Sequence, residues 1–161
     1  MIKSFGRIAA LLAVLLTLSV PAHAQLSRLK FISYKITSIV PTGLRSVKGS
    51  VEVAVRNDTT AFLMKGITGT IYRNGEPFVE GVCSDVRVAD GESTVTPTGS
   101  VRLCDGVKLW AVLGCLIGFD IEEYTGDLSM TVIDVKGNKK YIKKEGLSVA
   151  EVLRNKNRYK L

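Results

Sequence analysis

The sequence is short of the side chains on which most enzymes depend. Its one histidine, His23, lies within the first 24 residues, a stretch that reads as an export signal. With no histidine beyond it, the chain cannot assemble a Ser-His-Asp or Cys-His arrangement or a histidine-ligated zinc site. Cysteine is scarce: Cys83, Cys104 and Cys115 are the three, and no two stand in C-x-x-C spacing. That argues against a thiolate metal site and a thioredoxin-like dithiol. The glycine-rich "GITGTI", Gly66 to Ile71, lacks the Gly-Lys-Ser/Thr ending of a phosphate loop. Apolar runs of spanning length are missing too. Ile8–Val20 and Val107–Phe119 hold thirteen residues each, whereas a bilayer takes about 20.

What is present begins with a targeting pattern. "MIKSFGR" supplies Lys3 and Arg7, "IAALLAVLLTLSV" an apolar core, and Ala22-His23-Ala24 a small-x-small site ahead of Gln25. A basic start, a short apolar core and small residues at the cut mark a secretory signal over residues 1–24. The protein is expected to be periplasmic or extracellular after cleavage near Ala24-Gln25. No cysteine follows the cut, so lipid attachment there is not expected. The remaining 137 residues suit one domain, which at that size buries roughly two-thirds of its unfolded surface.

Charge is unevenly placed. Residues 25–134 hold 11 basic and 13 acidic side chains, and residues 135–161 hold 9 and 2. The basicity is a property of the C-terminal end. It suits either a solvated terminal strand and helix or contact with an anionic surface.

The dominant period along the chain is two, the mark of half-buried strands. In "RLKFISYKITSIV", Ile32, Tyr34 and Ile36 are expected on one face and Ser33, Lys35 and Thr37 on the other. In "KGSVEVAVRN", Val51, Val53 and Val55 point inward, each contributing roughly 1.5–3 kcal/mol if fully buried. "FLMKGITGTIYRNGEPFVEG" contains two strands around Asn74-Gly75, the strongest short hairpin signal, because both central turn positions need positive φ. "STVTPTGSVRLC" reads as a further strand with Pro97 at an edge or bulge. "GDLSMTVIDVKGNKKYIKKEG" forms a second hairpin turning at Gly137-Asn138. A short helix is expected from Val149, capped by Ser148, followed by a basic tail.

The run "VKLWAVLGCLIGF" interrupts this pattern. Asp105 is placed to cap a helix start and Gly118 to end it. Such a helix is apolar on nearly every face, so it must be covered. Two readings fit. It plugs one open end or edge of a β-sandwich, with Trp110 and Leu113 in the core. Alternatively, Leu109, Trp110, Leu113, Leu116 and Ile117 form an apolar lid that binds a partner. One disulfide among the three cysteines is compatible with export. A Cys83–Cys104 bond would close a loop worth about 3 kcal/mol, but spacing alone does not choose the pair, and Cys115 suits a buried small hydrophobe.

Other motifs have plain structural readings. Asn57-Asp58-Thr59 matches a glycosylation acceptor but is expected to be a turn. Glu122 and Glu123, beside Asp120, are expected on opposite faces of a strand entrance, where they could not share a substrate. Lys139, Lys140, Lys143 and Lys144 bracket Tyr141 and alternate between two faces. With Arg154, Lys156 and Arg158 they form a candidate basic surface. Nucleic acid calls for a basic face interleaved with stacking aromatics, and only Tyr141 and Tyr159 are at hand.

The order of these features resembles the type-2 late embryogenesis abundant family, the water-stress and hypersensitive-response domain. Asn57 after a Val-rich strand, Ile71-Tyr72 before Asn74-Gly75, Gly91-Glu92-Ser93 and Gly126-Asp127-Leu128 occupy the places of that family's motifs over about residues 30–148. Asp58 stands where the family usually has proline. The resemblance implies an immunoglobulin-like or fibronectin-III-like β-sandwich without a catalytic centre, and a role in desiccation or other stress.

The expectation from sequence is thus an all-β sandwich of about seven strands over residues 25–148, with one short apolar helix before the last two strands. A basic helix or tail follows over residues 149–161. No catalytic, cofactor or metal residues are expected. The expected partner is an envelope protein or a membrane surface, through the apolar lid or, alternatively, through the basic C-terminal region.

Overall fold

The computed structural model describes residues 28–108 and 120–151. Nine antiparallel strand segments run in the order β1 (Leu29–Pro41), β2 (Ser46–Asn57), β3 (Phe62–Arg73), β4 (Glu76–Cys83), β5 (Val86–Val88), β6 (Gly91–Val95), β7 (Thr98–Leu103), β8 (Tyr124–Asp134) and β9 (Lys139–Ser148). They make one open sheet in the order β1-β2-β7-β4-β3-β8-β9, with β5 on β3 and β6 on β2.

The nine segments lie on seven paths. β4 and β5 both pair with β3, from Arg73↔Glu76 to Phe62↔Val88. β6 and β7 both pair with β2, from Asn57↔Gly91 to Ser46↔Arg102. Each path breaks once, at Ser84-Asp85 and at Thr96-Pro97. Proline has no N–H for a ladder, and here the Pro97 carbonyl accepts from Val51 N at 3.1 Å. Before the breaks, β4 and β7 pair with each other, from Val79↔Leu103 to Cys83↔Gly99. Beyond them, β5 and β6 part and follow different sheets.

That divergence makes the sandwich. The sheet folds over along the β4–β7 seam, and the inner faces of its two halves share one core. Val47, Val53 and Val55 of β2 pack in the same cluster as Phe62, Met64, Ile67 and Ile71 of β3, Leu128 and Met130 of β8, and Ile142 of β9. The seam requires a close approach at Gly99, where an added Cβ would stand 3.0 Å from the Val82 carbonyl oxygen.

The Asn74-Gly75 turn is as expected, with φ of 50° and 81°. "GITGTI" is a bulge: the β3–β8 register slips between Lys65 and Thr68. Strand β1 departs from the expected alternation. Its register with β2 slips between Phe31 and Ser33 and again between Ile36 and Ser38. The residues opposite the inward valines are therefore Phe31, Tyr34 and Ile36, and Ile32 falls outside the series. The Phe31 and Tyr34 rings lie 6.0 Å apart, although the residues are three apart in sequence. Glu122 and Glu123 lie in a short 3-10 turn (Ile121–Glu123) just ahead of β8.

A Cys83–Cys104 disulfide is excluded. Cys83 stands opposite Gly99, and five residues of strand put Cys104 about 16 Å further along, well beyond bonding reach. Both thiols are free. Burial pushes the Cys83 thiol up to about 11. Cys115, Leu109, Trp110, Leu113, Leu116, Ile117 and Gly118 lie outside the described residues, as do residues 1–24.

Asn57 ties the top of the fold together. It is 1% exposed. Its Nδ2 donates to Thr60 O at 3.0 Å and to Ala89 O at 3.1 Å. Its Oδ1 accepts from Thr59 N at 3.0 Å and Thr59 Oγ1 at 2.6 Å. Both amide hydrogens are committed, which accounts for the sequon as a turn. Asn57→Ala removes these four bonds from a buried side chain and is expected to cost about 1–3 kcal/mol. Urea unfolding checks it; a midpoint within error of wild type would disprove this role.

Candidate binding surface

Among the described residues, exposed apolar side chains gather on β1 and basic ones on β9. β1 and β9 are the two ends of the sheet path, and each has one strand partner among the described residues.

On β1 the inner-face positions are incompletely covered. Of the eight exposed large apolar side chains, Ile32, Tyr34, Ile36 and Val40 belong to β1. Tyr34 and Ile36 face the core side, yet remain 40% and 36% exposed. An edge strand has no neighbour beyond it to complete the cover. On the outer face, Lys30 bridges Asp58 at 3.0 Å. Thr37 and Ser38 hydroxyls both reach Ser50 Oγ, at 2.6 and 2.9 Å, tying the second bulge to β2.

On β9 the ladder sorts the lysines. Lys140, Ile142 and Lys144 stand opposite Val132, Met130 and Leu128 on the inner face. Lys139, Tyr141 and Lys143 stand opposite Ile133, Thr131 and Ser129 on the outer face. The four lysines thus occupy two faces, as the period-two reading expected. Ile142 is buried, Lys144 is half-buried, and Lys139, Lys140, Tyr141 and Lys143 are exposed. Lys143 Nζ pairs with Glu145. Arg154, Lys156 and Arg158 lie outside the described residues. The helix from Val149 begins as expected, with Glu151 N donating to Ser148 Oγ at 3.2 Å. Val149 and Ala150 are buried.

Sequence placed the binding candidates in the apolar run and the basic end. It missed β1, because an alternating apolar strand carries no mark of being an edge. The ends of the apolar run are firmly held. Arg45 Nη2 donates to Cys104 O at 2.7 Å and Val107 O at 2.9 Å. At the far end, Arg73 Nε meets Glu123 Oε2 at 3.0 Å, and Asn74 N donates to Glu123 O at 2.9 Å. Asp105 does not serve as a cap in the described residues. It sits in a turn, its carboxylate 3.3 Å from Arg102 Nη1. Glu123 is likewise engaged with an arginine rather than with a second carboxylate. Among the described residues no three His, Cys, Asp or Glu side chains gather as metal ligands would, and no helix is long and apolar enough to cross a membrane.

No family model and no curated protein matches the chain. Among solved structures, it is similar to a protein from Archaeoglobus fulgidus at 17% identity, covering 73% of this chain and 94% of that one, with a TM-score of 0.45. It is also similar to part of a β-glucuronidase from glycoside hydrolase family 2, at 11% identity over 72% of this chain and 11% of that one, with a TM-score of 0.32. Neither likeness is strong enough to carry an argument about function.

The phase of the β9 lysines is set by the turn before them. Asp134 Oδ1 accepts from Lys136 N at 2.8 Å and Asn138 N at 2.9 Å, and Oδ2 from Asn138 Nδ2 at 2.9 Å. The Asn138 side chain, followed by the two backbone N–H groups, holds the Asp134 carboxyl below its ordinary range. Its stabilisation is therefore present above the unfolded aspartate pKa and lost as pH falls through the lowered folded value. Asp134→Ala is expected to lower the urea midpoint at neutral pH and to match wild type at about pH 2. An equal deficit at both pH values would show that the carboxylate charge is not what holds the turn.

Proposed function

We propose that the chain is a non-enzymatic, exported binding and protective module of the envelope, stabilising proteins or membranes under desiccation or related stress. The carrying observation is the concentration of exposed apolar side chains on one open edge strand. Exposed apolar side chains that gather on one element, rather than scatter singly, mark an interaction surface. The strand order, the Asn57 turn and the Asn74-Gly75 hairpin support kinship with type-2 late embryogenesis abundant domains. The signal-like residues 1–24 support export.

The test is survival of a strain lacking this gene through drying and osmotic shock. Survival is expected to fall and to return with the wild-type gene. It is not expected to return with Tyr34→Ser/Ile36→Ser, with urea unfolding of the purified variant as the check that the fold survives the change. Unchanged survival without the gene would overturn the protective reading.

A second reading has its own observation, the net +7 of residues 135–161. Here the basic end holds an anionic membrane or polymer. Adsorption to anionic vesicles would then weaken as salt rises and disappear when Lys139, Lys140, Lys143 and Lys144 are changed to glutamine. Truncation at Val149 is a poor variant, because Val149 and Ala150 are part of the buried interior. Adsorption that persists in high salt would end this reading.

A further inference from the structure

We propose that the open edge of β9 captures an acidic, extended segment of another polypeptide, which adds to the sheet beside β9. The inference rests on the binding-module reading and names one class of partner for it.

Three observations carry it. The first is geometric. From Lys139 to Lys144 the β8–β9 register is unbroken, Ile133↔Lys139 through Leu128↔Lys144, and the slip comes only beyond Lys144. Among the described residues these six have no strand partner on the side away from β8, where they present an unslipped row of backbone donors and acceptors. Such an edge is a template for an added strand. β1, the other open edge, has two register slips inside its length, which makes it the poorer template.

The second is the order of the side chains, Lys-Lys-Tyr-Ile-Lys-Lys. Two lysines, two strand-forming residues and two lysines read the same in either direction. In an antiparallel neighbour each residue stands beside one of these, on the same face. The complementary segment is therefore acidic, acidic, β-branched or aromatic, the same again, acidic, acidic. Its inner-face apolar residue would extend the cover of Ile142, and its inner-face acids would meet Lys140 and Lys144. Lysines on an edge strand repel apolar and basic strands; here they leave an acidic strand as the one that fits. Lys143 already has Glu145 beside it, so Lys139, Lys140 and Lys144 supply most of the charge selection.

The third is that this chain contains no such occupant. Residues 1–27, 109–119 and 152–161 contain no Asp or Glu. β1 carries Lys30 and Lys35 and no acid. Pairing Lys139–Lys144 antiparallel with the same stretch of a second copy would set lysine against lysine, which is destabilising, and β1 offers no acid to meet these lysines. The complementary strand is therefore sought in another polypeptide.

The experiment titrates a labelled peptide centred on Glu-Glu-Val-Thr-Glu-Glu into the full chain and follows anisotropy, with hydrogen exchange of the Lys139–Lys144 amides as a second readout. The peptide is expected to bind and to slow exchange of the outward amides. A shuffled peptide, Glu-Val-Glu-Glu-Thr-Glu, and a copy N-methylated at alternate amides keep the charge and lose the pattern or the ladder. Each is expected to bind more weakly, on the order of tenfold. Lys140→Glu/Lys144→Glu is expected to abolish binding of the acidic peptide and admit Lys-Glu-Val-Thr-Lys-Glu, whose lysines stand beside the new glutamates and whose glutamates stand beside Lys143 and Lys139. Absence of peptide binding, or equal binding of the shuffled and N-methylated peptides, would overturn the proposal. Adsorption to anionic vesicles without peptide binding would do the same. A failed titration beside intact, Tyr34- and Ile36-dependent stress survival would remove the acidic strand and leave the protective module standing.

Discussion

The fold depends on the short ladder between β4 and β7. It is the hydrogen-bonded link between the half of the sheet that contains β1 and β2 and the half that contains β3, β8 and β9. Its inner-facing rows are Val79 with Leu103, Gly81 with Val101 and Cys83 with Gly99. Small residues here let the two halves fold tightly over each other, and large buried ones at the Val79–Leu103 end fill the corner. Without this seam the valines of β2 would have no opposing face. Their burial against Met64, Leu128 and Met130 is what the apolar period-two pattern encodes. The breaks at Ser84-Asp85 and Thr96-Pro97 complete the device by letting β5 and β6 leave the seam for separate sheets.

The sheet is not closed, so its path has two ends, β1 and β9, each with one strand partner among the described residues. The two edges are managed differently. β1 carries bulges and leaves aromatic and branched side chains half-covered; β9 is regular from Lys139 to Lys144 and carries lysines on both faces. Either device hinders indiscriminate pairing. They differ in selectivity. A bulge spoils the ladder for every partner alike, whereas a lysine changes sign of effect with the charge opposite it.

Much of this was legible in the residues, and the illegible part has a physical cause. Alternation in "KGSVEVAVRN" and positive φ at Asn74-Gly75 depend on local chemistry alone, so strand and turn followed directly. The two faces of the β9 lysines followed from the period of a strand. The slips in β1 did not, because a bulge is set by how one strand meets its neighbour. Phe31 and Tyr34 share a face only because Ile32 is passed over in the ladder. The cysteine pairing, left open by the sequence, has the same origin: sequence separation does not report that antiparallel register places the Cys83 and Cys104 thiols far apart along the seam. Edge status is likewise a property of the whole topology. An apolar alternating segment such as Leu29–Pro41 reads as a half-buried strand wherever it lies, and its exposure appears only when the sheet order is known.

Exposed apolar side chains on a small domain are a liability unless something else limits their contacts. Here the limit is electrostatic. β1 itself sets Lys30 and Lys35 beside Tyr34 and Ile36, and β9 adds exposed Lys139, Lys140 and Lys143. Two copies approaching through these strands bring positive against positive. An acidic surface meets no such barrier, and attraction at long range brings it to the apolar residues at short range. The charge thus selects, and the apolar area holds. That division explains why the basic residues gather at the end of a chain whose body is otherwise near neutral: the C-terminal strand is the one that topology leaves at the open edge.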